Sequence, residues 1–129
     1  MGNLDFKADI VQDEKTLKVT SEGRGTTYKK ILCAAFDLAV LKAYSNFSFF
    51  RFVYHDGMLE GLDNRKKVNF LILVKNYCDA SDLQYILTVI DADLPRDESD
   101  IKIPFEQGEV IRELNDAGQE GRLFNLRKF

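Results

Sequence analysis

Residues 51–63 read RFVYHDGMLEGLD, and this stretch sets the expected architecture. Aromatic and β-branched residues fill positions 49–54, a pattern typical of an interior strand. The strand is expected to stop at His55-Asp56-Gly57, where glycine favours a turn. A helix is predicted from about Asn64 to Cys78, because apolar residues recur there at helical spacing along one face. The stretch thus predicts a buried strand, a tight turn and a helix in succession.

Two further elements flank this unit. A helix is predicted from Tyr28 to Tyr44, and an apolar strand from Gln84 to Ile90. Strands joined by helices of this length favour a parallel sheet with right-handed crossovers. Such sheets place ligands beyond the carboxyl ends of their strands. We therefore expect an α/β fold, a mostly parallel sheet flanked by helices, with Asp56 and Asp91 at its ligand-binding edge.

The two ends of the chain are predicted to add antiparallel strands. Residues 4–11 and 16–20 alternate weakly around a polar stretch, which indicates an N-terminal β-hairpin. Residues 110–114 and 122–124 are expected to form edge strands around turn-forming residues at 115–118. Because the sequence has no repeat and no linker, residues 1–129 are predicted to form a single domain.

The composition is that of a folded protein without a strongly basic surface. Hydrophobic residues make up 45% and charged residues 30% of the chain, and the net charge is −3. A uniformly basic surface for nucleic-acid binding is not expected. A local basic patch at residues 65–67 that contacts nucleic acid is one interpretation that the sequence leaves open. No apolar run approaches the roughly 20 residues that cross a bilayer, so no membrane association is expected. Cys33 and Cys78 lack ligand spacing and are expected to be reduced, buried thiols of a cytoplasmic protein.

Asp56 is the first candidate for chemistry. A buried strand that ends in aspartate is the physical form of a Walker B element, whose fixed carboxylate helps to hold Mg²⁺ beside nucleotide phosphates. Strands ending in aspartate are common, and the alternative is a residue that simply caps a turn. His55 is the single histidine of the chain. With no second His or Cys nearby, it is expected to hydrogen-bond near the strand end rather than to bind metal, and contact with the nucleotide or with Mg²⁺-bound water is the alternative.

The segment HDGMLEGLDNRKK, residues 55–67, places Leu62-Asp63 at the start of the second helix, seven residues after Asp56. It resembles the Walker B and D-loop segment of the ABC ATPases of chromosome maintenance and double-strand-break repair. It is more closely similar to the C-terminal domain of unknown function 2326, found at the end of SMC-like proteins of bacterial mobile and defence systems. Residues 27–39, 84–91 and 121–124 look like other segments of that family in the same order. The resemblance therefore covers nearly the whole chain.

The resemblance implies roles for the matching residues. Asp56 corresponds to the Walker B aspartate, which is the expected catalytic residue and Mg²⁺ ligand. Leu62 and Asp63 correspond to the D-loop, which crosses the dimer interface in these heads and lies near the nucleotide. Asp91 is the polar residue closest to the switch position, because Ile90 stands where the family usually has histidine.

Two further positions follow from the resemblance. Ser21, Gly23 and Gly25 occupy the place of the ABC signature, where a helix N-terminus offers free N–H groups to a nucleotide phosphate. A glycine-rich loop that only caps a helix is the alternative. Gly57 replaces the glutamate that normally polarises the attacking water. Glu60 is the candidate to take over this catalytic role, and the alternative is that Glu60 is a solvated acid of the loop. The sequence therefore does not decide whether the complete site hydrolyses ATP.

No Gly-x-x-x-x-Gly-Lys-Ser/Thr segment occurs in the sequence. In SMC-like proteins this P-loop lies in the N-terminal lobe, so we expect that lobe as a partner, in the same longer polypeptide or in a separate chain. The resemblance further implies ATP and Mg²⁺ as cofactors, a homodimer of heads held by ATP, and DNA-related work in repair or phage defence. The isolated chain, half of an ATP-hydrolysing site, is expected to bind ATP poorly and to hydrolyse none.

Two other classes of function stay open. Glu60, Asp91 and Asp93 resemble the carboxylates of a toprim-type Mg²⁺ site, which predicts a metal-dependent nuclease domain. Alternatively, the acidic edge of the sheet binds another protein without catalysis. The presence of Gly57 in place of the catalytic acid supports this interpretation.

Overall fold

The described part of the chain forms two α-helices and two strands that alternate along the sequence. This computed structural model describes residues 11, 15–19, 25–96, 105–106 and 108–122. Helix α1 spans Thr26–Ala43, strand β1 Phe52–Asp56, helix α2 Asn64–Ser81 and strand β2 Gln84–Thr88. Short 3-10 turns follow at Asp91–Asp93 and Gln119–Gly121. The predicted order of helix, strand, helix and strand between residues 28 and 90 is confirmed.

Strands β1 and β2 lie side by side and run parallel, as predicted. Their register places Phe52 opposite Gln84 and Asp56 opposite Thr88. Helix α2 provides the crossover connection that a parallel pair requires. Both strands therefore end at the same edge of the sheet, with Asp56 and Thr88 next to each other.

The core is formed by one face of each helix and by the turn that joins β1 to α2. From that turn, Leu59 is 0% exposed, Met58 4% and Leu62 8%. The helices and the residue before β2 contribute Ala34, Leu38, Leu41, Phe70, Val74, Cys78 and Leu83. Burial of apolar surface is the main driving force of folding. The residues that follow Asp56 are therefore held in place by the core itself.

The described part of the chain leaves one face of the sheet open, which corrects the prediction of an interior strand at residues 49–54. The aromatic residues of this segment, Phe49, Phe50, Phe52 and Tyr54, are 42–69% exposed. Successive side chains of a strand point to opposite faces, and in β1 exposed and half-buried residues alternate accordingly. Only one of these faces is covered by the helices. Although this segment is rich in aromatic residues, it is therefore not buried on both faces of the sheet.

Among the described residues, neither end of the chain forms a strand. Most of the predicted N-terminal hairpin lies outside them, and the described part shows a turn at residues 15–17 and one isolated antiparallel bridge between Val11 and Val19. The predicted edge strand at residues 110–114 is irregular, and Ile111 is 81% exposed. A strand requires partners for its backbone groups. The predicted partner at residues 122–124 lies outside the described residues beyond its first position.

The two cysteines differ in their surroundings. Cys78 is buried, as predicted, whereas Cys33 is exposed, contrary to the prediction. The reason is that α1 buries one face only, through Ala34, Leu38 and Leu41, and Cys33 lies outside it. In the part of the chain that the structure describes, no helix combines the length and the apolar character needed to cross a bilayer.

Candidate functional site

The carboxyl ends of the two strands carry the first candidate residue, Asp56. It is the last residue of β1 and is exposed. The hydroxyl of Thr88, the opposite residue of β2, donates a hydrogen bond to the Asp56 carboxylate. The Tyr54 hydroxyl lies 3.2 Å from the same Thr88 oxygen. Asp56 is therefore both accessible and held in position by the neighbouring strand.

A tight turn at residues 57–61 follows β1. Gly57 and Gly61 have φ angles of 62° and 75°, which residues with a side chain rarely adopt. The Gly57 N–H donates to the Thr88 carbonyl at 3.2 Å and continues the hydrogen bonding of the sheet past the end of β1. A Cβ atom on Gly57 would lie 3.7 Å from Glu60 Oε2. The turn therefore brings Glu60 back towards the end of the strand.

Lys30 of α1 contacts this turn, a contact that the sequence analysis missed. Its Nζ lies 2.8 Å from Glu60 Oε2 and donates to the Gly57 carbonyl at 3.3 Å. The hydrogen bond and the charge of Lys30 lower the pKa of Glu60, against the smaller opposing effects of burial and of the Asp56 charge. Lys30 and Glu60 are 30 positions apart in the chain. No local spacing relates them, so no signal in the sequence pointed to Lys30.

Leu62 and Asp63 join the turn to α2. Leu62 is buried, so its side chain belongs to the core. Asp63 is the N-cap of α2 and accepts a hydrogen bond from the Lys66 N–H at 2.9 Å. That bond, followed by one from the Lys66 side chain, lowers the pKa of Asp63. Of the two D-loop candidates, only Asp63 is exposed and accessible to a ligand or a second chain.

The start of α1 lies beside the same turn. Gly25 is the N-cap of α1, with a φ angle of −70° and no side-chain cap. A Cβ atom on Gly61 would lie 3.1 Å from the Thr27 hydroxyl oxygen, so the first turn of α1 and the turn after β1 approach closely. Ser21 and Gly23, the other candidates for a signature loop, lie outside the described residues. The structure therefore relates the Gly25 end of this loop to the candidate site.

Asp91 lies beyond β2, on the side where both strands end. It begins the 3-10 turn Asp91–Asp93 and is exposed. Asp93, which belongs to the alternative metal site, lies 3.5 Å from Nζ of Lys67, an α2 residue that is 9% exposed. Within the described residues, no group of three or more His, Cys, Asp or Glu side chains is arranged to hold a metal ion. Glu60, Asp91 and Asp93 thus do not converge on one metal position there.

His55 points to the opposite face of β1 from Asp56. Its Nε2 lies 3.0 Å from Asp37 Oδ2 of α1, and its ring centre lies 5.3 Å from that of Tyr85. The expectation that His55 hydrogen-bonds near the strand end is confirmed. Burial raises the pKa of the Tyr85 hydroxyl beside it. His55 therefore connects the sheet to α1 on the covered face, away from the exposed Asp56 carboxylate.

Comparison with known proteins relates the chain to a protein family. A family model described as an uncharacterised protein conserved in bacteria, DUF2326, matches residues 1–128 of the chain. No curated protein and no solved structure matches it. The matched range includes both helices, both strands and every residue of the candidate site.

Proposed function

The chain belongs to the DUF2326 family of bacterial proteins, and from this membership and the site geometry we propose that it is the Walker B and D-loop lobe of an SMC-like ATPase. Together with a P-loop lobe, in the same or in a separate polypeptide, it would bind Mg²⁺-ATP and form an ATP-dependent homodimer of heads. The whole protein would act in the cytoplasm in DNA-related work, in repair or in defence.

The position of Asp56 carries this proposal. An exposed carboxylate lies at the carboxyl end of a parallel strand, which is where α/β sheets bind ligands. The Thr88 hydroxyl holds it from the neighbouring strand. Mg²⁺ in nucleotide sites keeps several waters and takes one or two carboxylates together with phosphate oxygens. A single fixed aspartate therefore suits a Mg²⁺-nucleotide, whereas a protein-only metal site would need more ligands.

The other candidate residues have supporting roles in this proposal. Asp63 stays exposed at the start of α2, where a second copy of the head can contact it. Gly25 is the N-cap of α1, and the first N–H groups of a helix attract phosphate. Asp91 follows β2 and is the polar residue nearest to the switch position, which the resemblance assigns to Ile90. Glu60 is the acid that the turn offers in place of a glutamate at position 57.

The open face of the sheet also supports a second lobe. Parallel sheets in proteins are normally covered on both faces. In this chain the side chains of Phe52 and Tyr54 are more than half exposed on the uncovered face. A P-loop lobe that packed against the sheet would bury this aromatic surface and give it the environment that its composition indicates.

The toprim-type nuclease receives less support from the contacts. Glu60 is paired with Lys30, and Asp93 is paired with Lys67. Two of the three carboxylates that such a site requires are therefore engaged with cations on different helices. A metal-binding arrangement would have to break both ion pairs.

A non-catalytic interaction module is the second candidate function. The aromatic rings of Tyr44, Phe49, Phe50 and Phe52 contact one another in sequence, with centroids 5.0–6.0 Å apart, and all four are exposed. Exposed apolar patches of this kind mark protein–protein contacts. Such a surface is compatible with binding of a P-loop lobe and equally with binding of another protein.

Removal of the Asp56 charge tests the proposed function. In the assembled head, meaning this chain together with its P-loop lobe, Asp56→Asn is expected to lower Mg²⁺-dependent ATP turnover on the order of 100-fold or more, because metal charge stabilisation contributes several kcal/mol. Binding of a fluorescent ATP analogue is measured in the same preparations and is expected to weaken. Asp79→Asn is the matched control, since Asp79 is an exposed aspartate of α2, and it should change neither quantity.

Other outcomes favour other functions. A head that binds no Mg²⁺-ATP, or an Asp56→Asn head with unchanged binding and turnover, contradicts the proposal. Mn²⁺-dependent DNA cleavage by the isolated chain, abolished by Asp91→Ala, supports the nuclease instead. Failure of the complete protein to dimerise under every nucleotide condition supports the interaction module.

A further inference from the structure

Lys30 brings a positive charge to the turn that follows Asp56. Its Nζ lies 2.8 Å from Glu60 Oε2 and 3.3 Å from the carbonyl oxygen of Gly57. These two acceptors lie three residues apart in the same turn, so one ammonium group ties the turn to α1. The side chain of Lys30 is 32% exposed and that of Glu60 is 69% exposed, so the pair is accessible to water.

The contact with Lys30 orients Glu60 through one of its two carboxylate oxygens. Lys30 contacts Oε2, and among the described residues no hydrogen bond reaches the second oxygen, Oε1. Lys30 also lowers the pKa of Glu60, which keeps the carboxylate ionised. An ionised carboxylate is purely a hydrogen-bond acceptor. Glu60 thus presents an acceptor oxygen within electrostatic range of Asp56, whose charge acts on its pKa in the opposite direction.

Building on the proposed function, we propose that Lys30 is a positioning residue of the ATPase site, which holds Glu60 so that its second oxygen orients the attacking water. The same ammonium fixes the Gly57 carbonyl and hence the path of the chain between Asp56 and Glu60. In the reaction, the water oxygen bonds to the terminal phosphorus while the bond to the ADP oxygen breaks. The Glu60 oxygen accepts a hydrogen bond from this water, and the proton that hydrolysis releases passes to solvent.

An ordinary surface ion pair between Lys30 and Glu60 would behave differently. Exposed pairs contribute little to stability and tolerate substitution, so removal of Lys30 would leave turnover unchanged. A contact that only stabilised the fold would lower binding and turnover together, as the folded fraction fell. A positioning residue instead affects the rate constant of the chemical step, and it does so only while Glu60 is present.

The experiment compares kcat and KM for ATP in the assembled head carrying Lys30→Met, Lys30→Arg, Glu60→Gln or both Lys30→Met and Glu60→Gln. Lys30→Met is expected to lower kcat about tenfold or more with KM changed less than about twofold, because the orientation of the attacking water matters in the transition state and not in ATP binding. Lys30→Arg keeps donors for both acceptors and is expected to restore most of the rate. The double variant is expected to be no slower than Glu60→Gln alone. Lys29→Met, at an exposed neighbouring position of α1, is the control.

The outcomes separate this inference from the proposed function. If Lys30→Met leaves kcat unchanged, or lowers it equally with and without the Glu60 carboxylate, the inference is overturned and the proposed function stands. A head that binds Mg²⁺-ATP without hydrolysing it also overturns the inference, since there is then no water for Glu60 to orient. A head that binds no Mg²⁺-ATP overturns both. Thermal unfolding is measured for every variant, and Lys30→Gln replaces Lys30→Met if the latter unfolds.

Discussion

The carboxylate of Asp63 has a structural role besides its proposed functional one. It accepts the Lys66 N–H at 2.9 Å and pairs with Lys66 Nζ at 3.2 Å. An N-cap side chain satisfies one of the N–H groups that the first helical turn leaves without a partner. The residue assigned by resemblance to the dimer interface therefore also starts α2. Experiments on Asp63 therefore need substitutions that distinguish its role as the N-cap of α2 from its proposed role at the dimer interface.

Asp63→Ala is expected to lower the melting temperature of the chain by a few degrees, the usual scale for the loss of an N-cap in a small domain. Asp63→Asn is expected to stay close to the wild type, because asparagine caps helices as well as aspartate does. Thermal unfolding followed by circular dichroism measures both, with Asp79→Ala as the control on an exposed part of α2. An unchanged melting temperature in Asp63→Ala would mean that the cap does not stabilise α2.

The effect of Asp63→Ala is expected to depend on pH. The hydrogen bond from the Lys66 N–H is the largest of the causes that hold the pKa of Asp63 below its ordinary value. The folded state therefore binds this proton less tightly than the unfolded state. The stabilisation is complete above the ordinary pKa of aspartate and is lost as the pH falls through the lowered pKa. The difference between wild type and Asp63→Ala should be present at neutral pH and shrink in acid.

At the scale of elements, the turn at residues 57–61 supports the candidate site. Its two glycines have positive φ angles, and Met58 and Leu59 between them are buried. The backbone therefore reverses direction while its apolar side chains enter the core. Asp56 and Glu60 remain at the surface on either side of the buried pair. Packing of this turn sets the distance between the two acids.

Gly61→Ala is expected to destabilise the chain by roughly 1–2 kcal/mol. The φ angle of Gly61 is 75°, and the added Cβ would lie 3.1 Å from the Thr27 hydroxyl oxygen. Urea unfolding of wild type and variant measures the difference in free energy. Gly118→Ala is the control, because Gly118 has an extended φ angle of −164° and open space around its Cβ position. Equal stability of the two variants would show that the turn tolerates a side chain at position 61.

Element boundaries were predicted less well than the elements themselves. Helix α2 begins at Asn64 as predicted but continues to Ser81, past the expected end at Cys78. It ends where Asp82 adopts a left-handed conformation with a φ angle of 51°. That conformation usually signals glycine or asparagine, so an aspartate at this position gives no clear stop signal. The C-cap became recognisable only from the backbone.

At the scale of the whole molecule, charge attaches Glu106 and Glu109 to α2. Nζ of Lys75 lies 2.7 Å from a carboxylate oxygen of Glu106 and 2.7 Å from one of Glu109. These contacts raise the pKa of Lys75 and hold that of Glu109 below its usual value. The apolar residues that follow, Val110 and Ile111, are exposed. Lys75 therefore holds both carboxylates through ion pairs at the protein surface.

Lys75→Met is expected to speed amide hydrogen exchange in residues 105–109 by no more than about fivefold, the scale set by exposed ion pairs. Exchange in α1 and β1 should not change, because the contact does not reach them. Hydrogen exchange followed by mass spectrometry measures both regions in the full chain. Lys42→Met, at an exposed position of α1, is the control. Faster exchange throughout the chain would contradict a local attachment.

Local patterns in the sequence were sufficient to predict α1, α2, β1 and β2 and their parallel arrangement. Apolar spacing, turn residues and the length of the connecting helix all act over a few neighbouring positions. The location of Asp56 followed from them, because a residue that ends a parallel strand lies at the carboxyl edge of the sheet. The predicted strand at residues 110–114 is not formed. Apolar residues alone do not supply the neighbouring strand with which such a segment would pair.

The contacts that build the site join residues far apart in the chain, and the amino-acid order gave no sign of them. Thr88 meets Asp56 across 32 positions and Lys30 meets Glu60 across 30. These side chains come together because the buried faces of α1, α2 and the turn after β1 pack into one core. Packing also leaves Phe52 and Tyr54 on the uncovered face. The spacing of apolar residues predicts which residues form each helix or strand, whereas packing of the core determines which of these residues become neighbours.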